Sequence, residues 1–154
     1  MKQKLLRIIF IQSLIATLWS LYYGYFGDPV INITTGQLFN PLNGLTPCEL
    51  CRYARILVYP IVFISGIWLL HRAYQSTISY ILPLSILGIW LEIYHYSLQK
   101  FSISTQFTCT YANPCNALEV NYLGFITIPF LCLIACVVIC TASILIYRQR
   151  HHHN

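Results

Sequence analysis

The sequence predicts an all-α membrane protein, a bundle of four transmembrane helices with two external loops that carry cysteines. Three observations lead there. The chain of 154 residues is 57% hydrophobic and only 8% charged, where a soluble domain carries roughly 25% charged residues. It contains four apolar runs, each long enough to cross a bilayer. Its 12 Tyr and 3 Trp suit a bilayer protein, because aromatic rings collect at lipid–water interfaces. The length fits one integral membrane domain over residues 1–154. The net charge of +5 is not a nucleic-acid signal, since the basic residues are spread over termini and short connections.

Taken in order, Lys2, Lys4 and Arg7 precede an apolar run at about 5–26. The run is long for a cleaved leader and lacks a small-x-small cleavage site, so an uncleaved first span is expected. Residues 28–45 are rich in Asn, Gly, Thr and Pro and read as loop. Asn32-Ile33-Thr34 matches a glycosylation sequon, which is informative only in a eukaryotic secretory context. The second span is expected at about 53–70, with Arg52 and Arg55 at its outer end, placed to snorkel or to face a pocket. After a tight connection at 71–76, the third span is expected at about 78–96 and the fourth at about 122–147. Pro60, Pro83 and Pro129 fall inside spans, where neighbouring helices can satisfy the freed carbonyls. The external loops are then about 27–52 and 97–121.

Charge sets the expected orientation. Lys2, Lys4, Arg7, Arg72, Arg148 and Arg150 fall on one side with no acid, and Arg52, Arg55 and Lys100 on the other. The positive-inside rule makes both termini cytoplasmic. With four spans the two longer loops share a side whichever way the bundle inserts, so Cys48, Cys51, Cys109 and Cys115 share it too. By charge that side is extracytoplasmic, where disulfides persist.

Four of the seven cysteines sit in those loops. Cys48-Glu49-Leu50-Cys51 opens the second helix. Thr46 is expected as N-cap, with Pro47 at the first helical position and Glu49 completing a capping box. Leu45 and Leu50 stand where a hydrophobic staple would put them. This register puts both sulfurs in the first turn and a half, where the helix dipole favours the thiolate that performs disulfide exchange. Arg55, one turn past Cys51, is expected to add positive charge near that sulfur. An inert disulfide or a zinc half-site is the structural alternative.

Cys109 and Cys115 form a second pair whose five intervening residues allow a small disulfide-closed loop. It reads either as a permanent clip or as a second redox pair. A zinc site of four cysteines is disfavoured by the wide gap and by an oxidising compartment, and no metal is expected. Cys132, Cys136 and Cys140 recur every fourth residue on one face of the fourth span and read as packing at membrane depth. Glu92 and His95 share a face near the outer end of the third span. Ionisable groups in spans point to function, here a polar pocket with Arg55, against satisfied interfacial residues. Trp90 reads as a packing or interface residue, and His151 to His153 are given no role.

These residues resemble the DsbB/BdbC family of bacterial disulfide-formation proteins. The resemblance covers nearly the whole chain: four spans, Pro47-Cys48-Glu49-Leu50-Cys51 at the start of the second, Arg55 four residues on, and a second external pair. The short spacing from Cys109 to Cys115, and Tyr94-His95-Tyr96, are similar to the BdbC branch of Gram-positive bacteria. The resemblance implies a thiol:quinone oxidoreductase in the bacterial cell membrane, with redox-active disulfides Cys48–Cys51 and Cys109–Cys115. It implies that Cys109 and Cys115 take electrons from an extracytoplasmic thioredoxin-like thiol-disulfide oxidase. Cys48 and Cys51 then pass them to membrane quinone (menaquinone or ubiquinone), with Cys51 nearest the ring and Arg55 on the quinone side. Ala54 stands where the DsbB branch has Glu, and Arg52 where members often have an aromatic residue. A thiolate beside a helix N-terminus and an Arg, at the membrane surface, suits donation to a flat apolar acceptor. His95 and Glu92 are carried as further quinone-pocket candidates. The rival classes are a non-catalytic four-helix scaffold with structural disulfides and a small transporter.

Overall fold

A computed structural model describes residues 2–36, 40, 44–45, 47–71, 74–101, 123 and 125–151. The described residues form five helices: α1 (Lys2–Phe26), α2 (Pro29–Thr35), α3 (Glu49–His71), α4 (Tyr74–Phe101) and α5 (Ile128–His151). Four of them, all but α2, are long and apolar enough to span a membrane. They are apolar on every side, as lipid-facing helices must be. Ile56, Phe63, Leu70 and Trp90 stand exposed on the outer surface.

The four long helices form a ring in the order α1, α3, α4, α5, with α1–α4 and α3–α5 as the diagonals. At one end, Leu6 and Ile9 of α1, Ile61 of α3, Ile78 and Ile81 of α4 and Ile139 and Ile146 of α5 make a continuous core. Ser13, Ser65, Ser85 and Ser143 are fully buried between helices. Each hydroxyl donates to a carbonyl of its own helix, to Phe10, Ile61, Leu82 and Ile139. Small hydroxyl residues of this kind let helix backbones approach closely. At the other end the core among the described residues is Leu50 and Leu98, with Cys48 and Leu91 against them. The space between these two clusters is where the site lies.

Several expectations need correction. The stretch 28–45 is not all loop, because α2 occupies its first part. Asp28 caps that helix by accepting from the Val30 amide (2.8 Å), Pro29 takes the first position, and Gly36 ends it in the left-handed conformation. Asp-Pro and Gly thus act here as helix punctuation rather than turn residues. Asn32 of the sequon is buried and its amide donates to the Phe26 carbonyl, which folds α2 back on α1. The third span was expected to end at 96, but α4 continues to Phe101. Ser97 donates to the Ile93 carbonyl (2.7 Å) and Lys100 lies over the Tyr96 ring in a last turn whose dipole favours a cation. The fourth span was expected from 122, but its helix begins at Ile128. Pro129 is therefore in the first turn, where its missing N–H costs nothing, and not inside the span.

Candidate active site

The start of α3 carries the site, in a register two residues later than expected. Cys48, not Thr46, occupies the N-cap position: its carbonyl accepts the first helical bond, from the Arg52 amide (3.1 Å), and its sulfur accepts from the Cys51 amide (3.3 Å). That second bond is the one an N-cap side chain makes to the third helical residue. Thr46 lies outside the described residues. Glu49 pairs with exposed Arg52 (3.0 Å) in the first turn, and the capping box expected with Thr46 falls outside the described residues. The Leu45 amide donates to the Tyr23 carbonyl (3.0 Å) and pins the approach to α3 onto the end of α1. Gly44 is required beside it, since a Cβ there would fall 2.6 Å from the Gly24 carbonyl oxygen.

Cys48 and Cys51 are reduced here, with sulfurs 3.0 Å apart. His95 of α4 brings Nε2 to 3.7 Å from the Cys48 sulfur, and Nδ1 lies 3.9 Å from a Glu92 carboxylate oxygen. Both α4 side chains are only 2% exposed. Three donors therefore converge on Cys48: the Cys51 thiol, the imidazole and the Cys51 amide. The Cys51 hydrogen bond is the largest influence, and together they overcome partial burial and push the Cys48 thiol down to about 4. Cys48 is thus a thiolate at neutral pH. The Glu92 oxygen facing His95 has no hydrogen-bond partner among the described residues.

Cys51 lines a partly open cavity of about 260 Å³, to which all four long helices contribute. Trp19, Tyr23, Val58, Ile128, Pro129 and Ala135 make much of its wall, and Arg55, Glu92 and His95 supply polar groups. Arg55 departs from expectation in one respect. Its guanidinium donates to the Ser20 hydroxyl (2.9 Å) and carbonyl (3.1 Å) of α1, and not to a cysteine sulfur. Serine 20 also receives the Tyr59 hydroxyl (3.4 Å). Arg55 therefore crosses the cavity to α1, where a Cβ on Gly24 would come within 3.1 Å of it. The expected pocket of Arg55, Glu92 and His95 does form, and Cys51 belongs to it.

Ser20, Tyr59 and Cys132 are cavity residues that sequence reasoning missed. The sequence pattern groups Cys132 with its two neighbours as packing. Cys136 and Cys140 are indeed buried, but Cys132 opens on the cavity within hydrogen-bonding reach of Glu92. The four-residue repeat could not separate them, because only the rotation of α5 about its axis tells which turn reaches the cavity. Cys109 and Cys115 lie outside the described residues.

The family model described as disulfide bond formation protein DsbB matches residues 3–146. The chain belongs to the DsbB family. A probable disulfide formation protein of Oceanobacillus iheyensis is 36% identical, over 96% of this chain and 92% of its own. Disulfide bond formation protein C of Bacillus subtilis is 42% identical, over 66% of this chain and 73% of its own. A probable disulfide formation protein C of Halalkalibacterium halodurans is 38% identical, over 73% and 82%. No solved structure matches. This DsbB-family chain is accordingly a multi-pass bacterial membrane protein of disulfide formation, and its family role is that of a disulfide oxidoreductase.

Proposed function

We propose that the chain is a membrane thiol:quinone oxidoreductase. It takes electrons at Cys109 and Cys115 from an extracytoplasmic thioredoxin-like thiol-disulfide oxidase and passes them through Cys48 and Cys51 to membrane quinone. The observation that carries this reading is the placement of the two sulfurs. Cys51 lines an apolar cavity inside the bundle, while Cys48 stands behind it as a thiolate held by a helix N-terminus and His95.

The residues present suit a flat, apolar ring with polar oxygens. The cavity wall is largely hydrophobic and aromatic, and Arg55 and His95 add hydrogen-bond donors to it. A bound quinone supplies a two-electron, two-proton acceptor. The chain does the rest. Cys51 presents sulfur to the cavity. Cys48, already ionised, closes on the Cys51 sulfur as two electrons leave for the acceptor, so that one thiolate and one thiol become a disulfide and the Cys51 proton is released. His95 donates to the Cys48 thiolate and steadies its charge, and Glu92 lies 3.9 Å from the other ring nitrogen. Arg55, anchored by Ser20, offers positive charge to an acceptor oxygen as it gains electrons. Inside an apolar wall such a charge acts more strongly than it would in water.

The test is steady-state reduction of quinone by the purified chain, supplied with a reduced thioredoxin-like oxidase. Turnover that depends on both cysteine pairs is expected. Cys51→Ala should stop turnover yet still trap the partner as a mixed disulfide, the normal intermediate of exchange, whereas the Cys109→Ala/Cys115→Ala chain should not trap it. Normal partner oxidation by that double variant would reduce the second pair to a clip. No quinone reduction by the parent chain would leave a scaffold braced by disulfides.

A further inference from the structure

Glu92 is a carboxyl buried at membrane depth, with Cys132 in hydrogen-bonding reach and its Oε2 without a hydrogen bond among the described residues. Such a group needs an explanation. Its neighbour is His95 Nδ1, and the other ring nitrogen of His95 faces sulfur. The Cys48 and Cys51 sulfurs and a His95 ring nitrogen all lie within 4.8 Å of one another. Two thiolates and one imidazole, with a carboxylate behind the imidazole, are the ligands and outer support that zinc proteins use.

We propose that the reduced site captures a divalent cation of zinc type, bound by Cys48 Sγ, Cys51 Sγ and His95 Nε2, with a fourth position open to the cavity. Bonds of about 2.3 Å to sulfur and 2.0–2.1 Å to nitrogen place neighbouring ligand atoms of a tetrahedral zinc about 3.6–3.8 Å apart. The observed separations are 3.0 Å between the sulfurs and 3.7 Å from sulfur to nitrogen. The sulfurs need only part by less than an ångström. Two thiolates neutralise the cation, so no charge is left stranded in the bundle. The Glu92 oxygen lies 3.9 Å from Nδ1 without a hydrogen bond to it, and on closing that gap it would support the imidazole in the manner of a carboxylate–histidine–zinc arrangement.

The site exists only in one redox state. A disulfide between Cys48 and Cys51 has no thiolate to offer, so the cation selects the dithiol. Bound there, it holds both sulfurs apart and blocks the closure that ends each turnover. Disulfide formation by this chain is thereby sensitive to zinc whenever reduced partner accumulates. This inhibition rests on the function proposed above, but binding does not.

The experiment uses the full chain in detergent with Cys109→Ser and Cys115→Ser, and with His151, His152 and His153 changed to alanine so that the tail contributes no ligand. It is reduced with a phosphine, freed of reductant without air and dialysed against zinc sulfate. About one zinc per reduced chain is expected, and none above background after oxidation to the Cys48–Cys51 disulfide. Cobalt(II) in place of zinc should give the sulfur-to-metal charge-transfer absorption of a tetrahedral thiolate site. His95→Ala should weaken affinity at least tenfold. Glu92→Gln should weaken it by roughly tenfold, the usual cost of losing an outer-shell partner. Equal zinc on the oxidised and reduced chains, or undiminished affinity in His95→Ala, overturns the proposal. The cobalt spectrum of the unsubstituted site decides the matter even if a variant fails to fold. Quinone and partner are both absent, so a chain that binds zinc but reduces no quinone refutes only the catalytic reading.

Discussion

Cys48 is the residue on which the chemistry turns, and its thiolate is checkable without any partner. The thiolate fraction rises as pH climbs through the group's pKa, and here that value is depressed to about 4, against about 8.5 for a free cysteine. Alkylation of Cys48 should therefore persist to mildly acid pH and fall off only as pH drops through about 4. Measuring modification rate against pH in a Cys51→Ala chain reads part of this, because the Cys51 thiol donor is then missing and the midpoint should move up. Arg55 makes a second residue-scale prediction. Arg55→Met keeps the stem and removes the charge, and should raise the KM for quinone or lower kcat by about tenfold to a hundredfold, the worth of a charge-assisted contact of roughly 1.5–3 kcal/mol. Arg55→Lys should recover part, since it restores charge without the planar fork that engages Ser20. A methionine variant with unchanged quinone kinetics would make Arg55 an anchor between helices and nothing more. The sequence placed Cys48, Cys51, Arg55, Glu92 and His95 near one membrane face. It could not show that His95 reaches Cys48, because no local pattern fixes the rotation of α4 against α3.

At the scale of elements, α4 and α5 meet where Gly88 faces Cys136. A Cβ on Gly88 would lie 2.9 Å from the Cys136 sulfur, and Cys136 is 1% exposed. Gly88→Ala should therefore lower the melting temperature in detergent, through overpacking worth roughly 1–3 kcal/mol. Cys136→Ala should relieve much of that loss, while the single Cys136→Ala change costs less than Gly88→Ala. Additive losses in the double variant would mean that the two positions do not share this contact. The helices themselves were legible from apolar runs and proline positions. Their ends were less so, for a physical reason. Hydropathy stops at the first charged or polar residues, whereas a helix continues as long as its backbone bonds can form, as α4 does through Ser97 and Lys100. The start of α3 was misread by two residues because Thr46 is the better cap by type, while sulfur at Cys48 can cap once it is ionised.

For the whole molecule, the ring of helices puts Lys2, Lys4, Arg7 and Arg148 at the end opposite the cavity. The positive-inside rule then predicts that the cavity end is extracytoplasmic. A membrane-impermeant thiol reagent applied to intact cells should label single cysteines introduced at Gly36 or Asn40, and should leave one introduced at Lys4 untouched until the membrane is opened. The reverse pattern would invert the protein and separate its cysteine pair from any exported substrate. The bundle was legible in outline because lipid imposes uniform apolarity on each span. The same uniformity hid which faces meet, and so the cavity with Ser20, Tyr59 and Cys132 emerged only from the packed helices.

The hydrogen bonds that converge on Cys48 also weigh on the stability of the molecule as a whole. They favour the sulfur only while it is an anion, so folding and reduction assist one another. By linkage, the pair in the folded chain should show a higher reduction potential than the same Cys-x-x-Cys segment unfolded. In a chain lacking Cys109 and Cys115, the reduced form should outlast the oxidised form on heating, the opposite of what a bracing disulfide does. An electron pair thus rests comfortably at Cys48 and Cys51, and the drop to the next acceptor is correspondingly smaller.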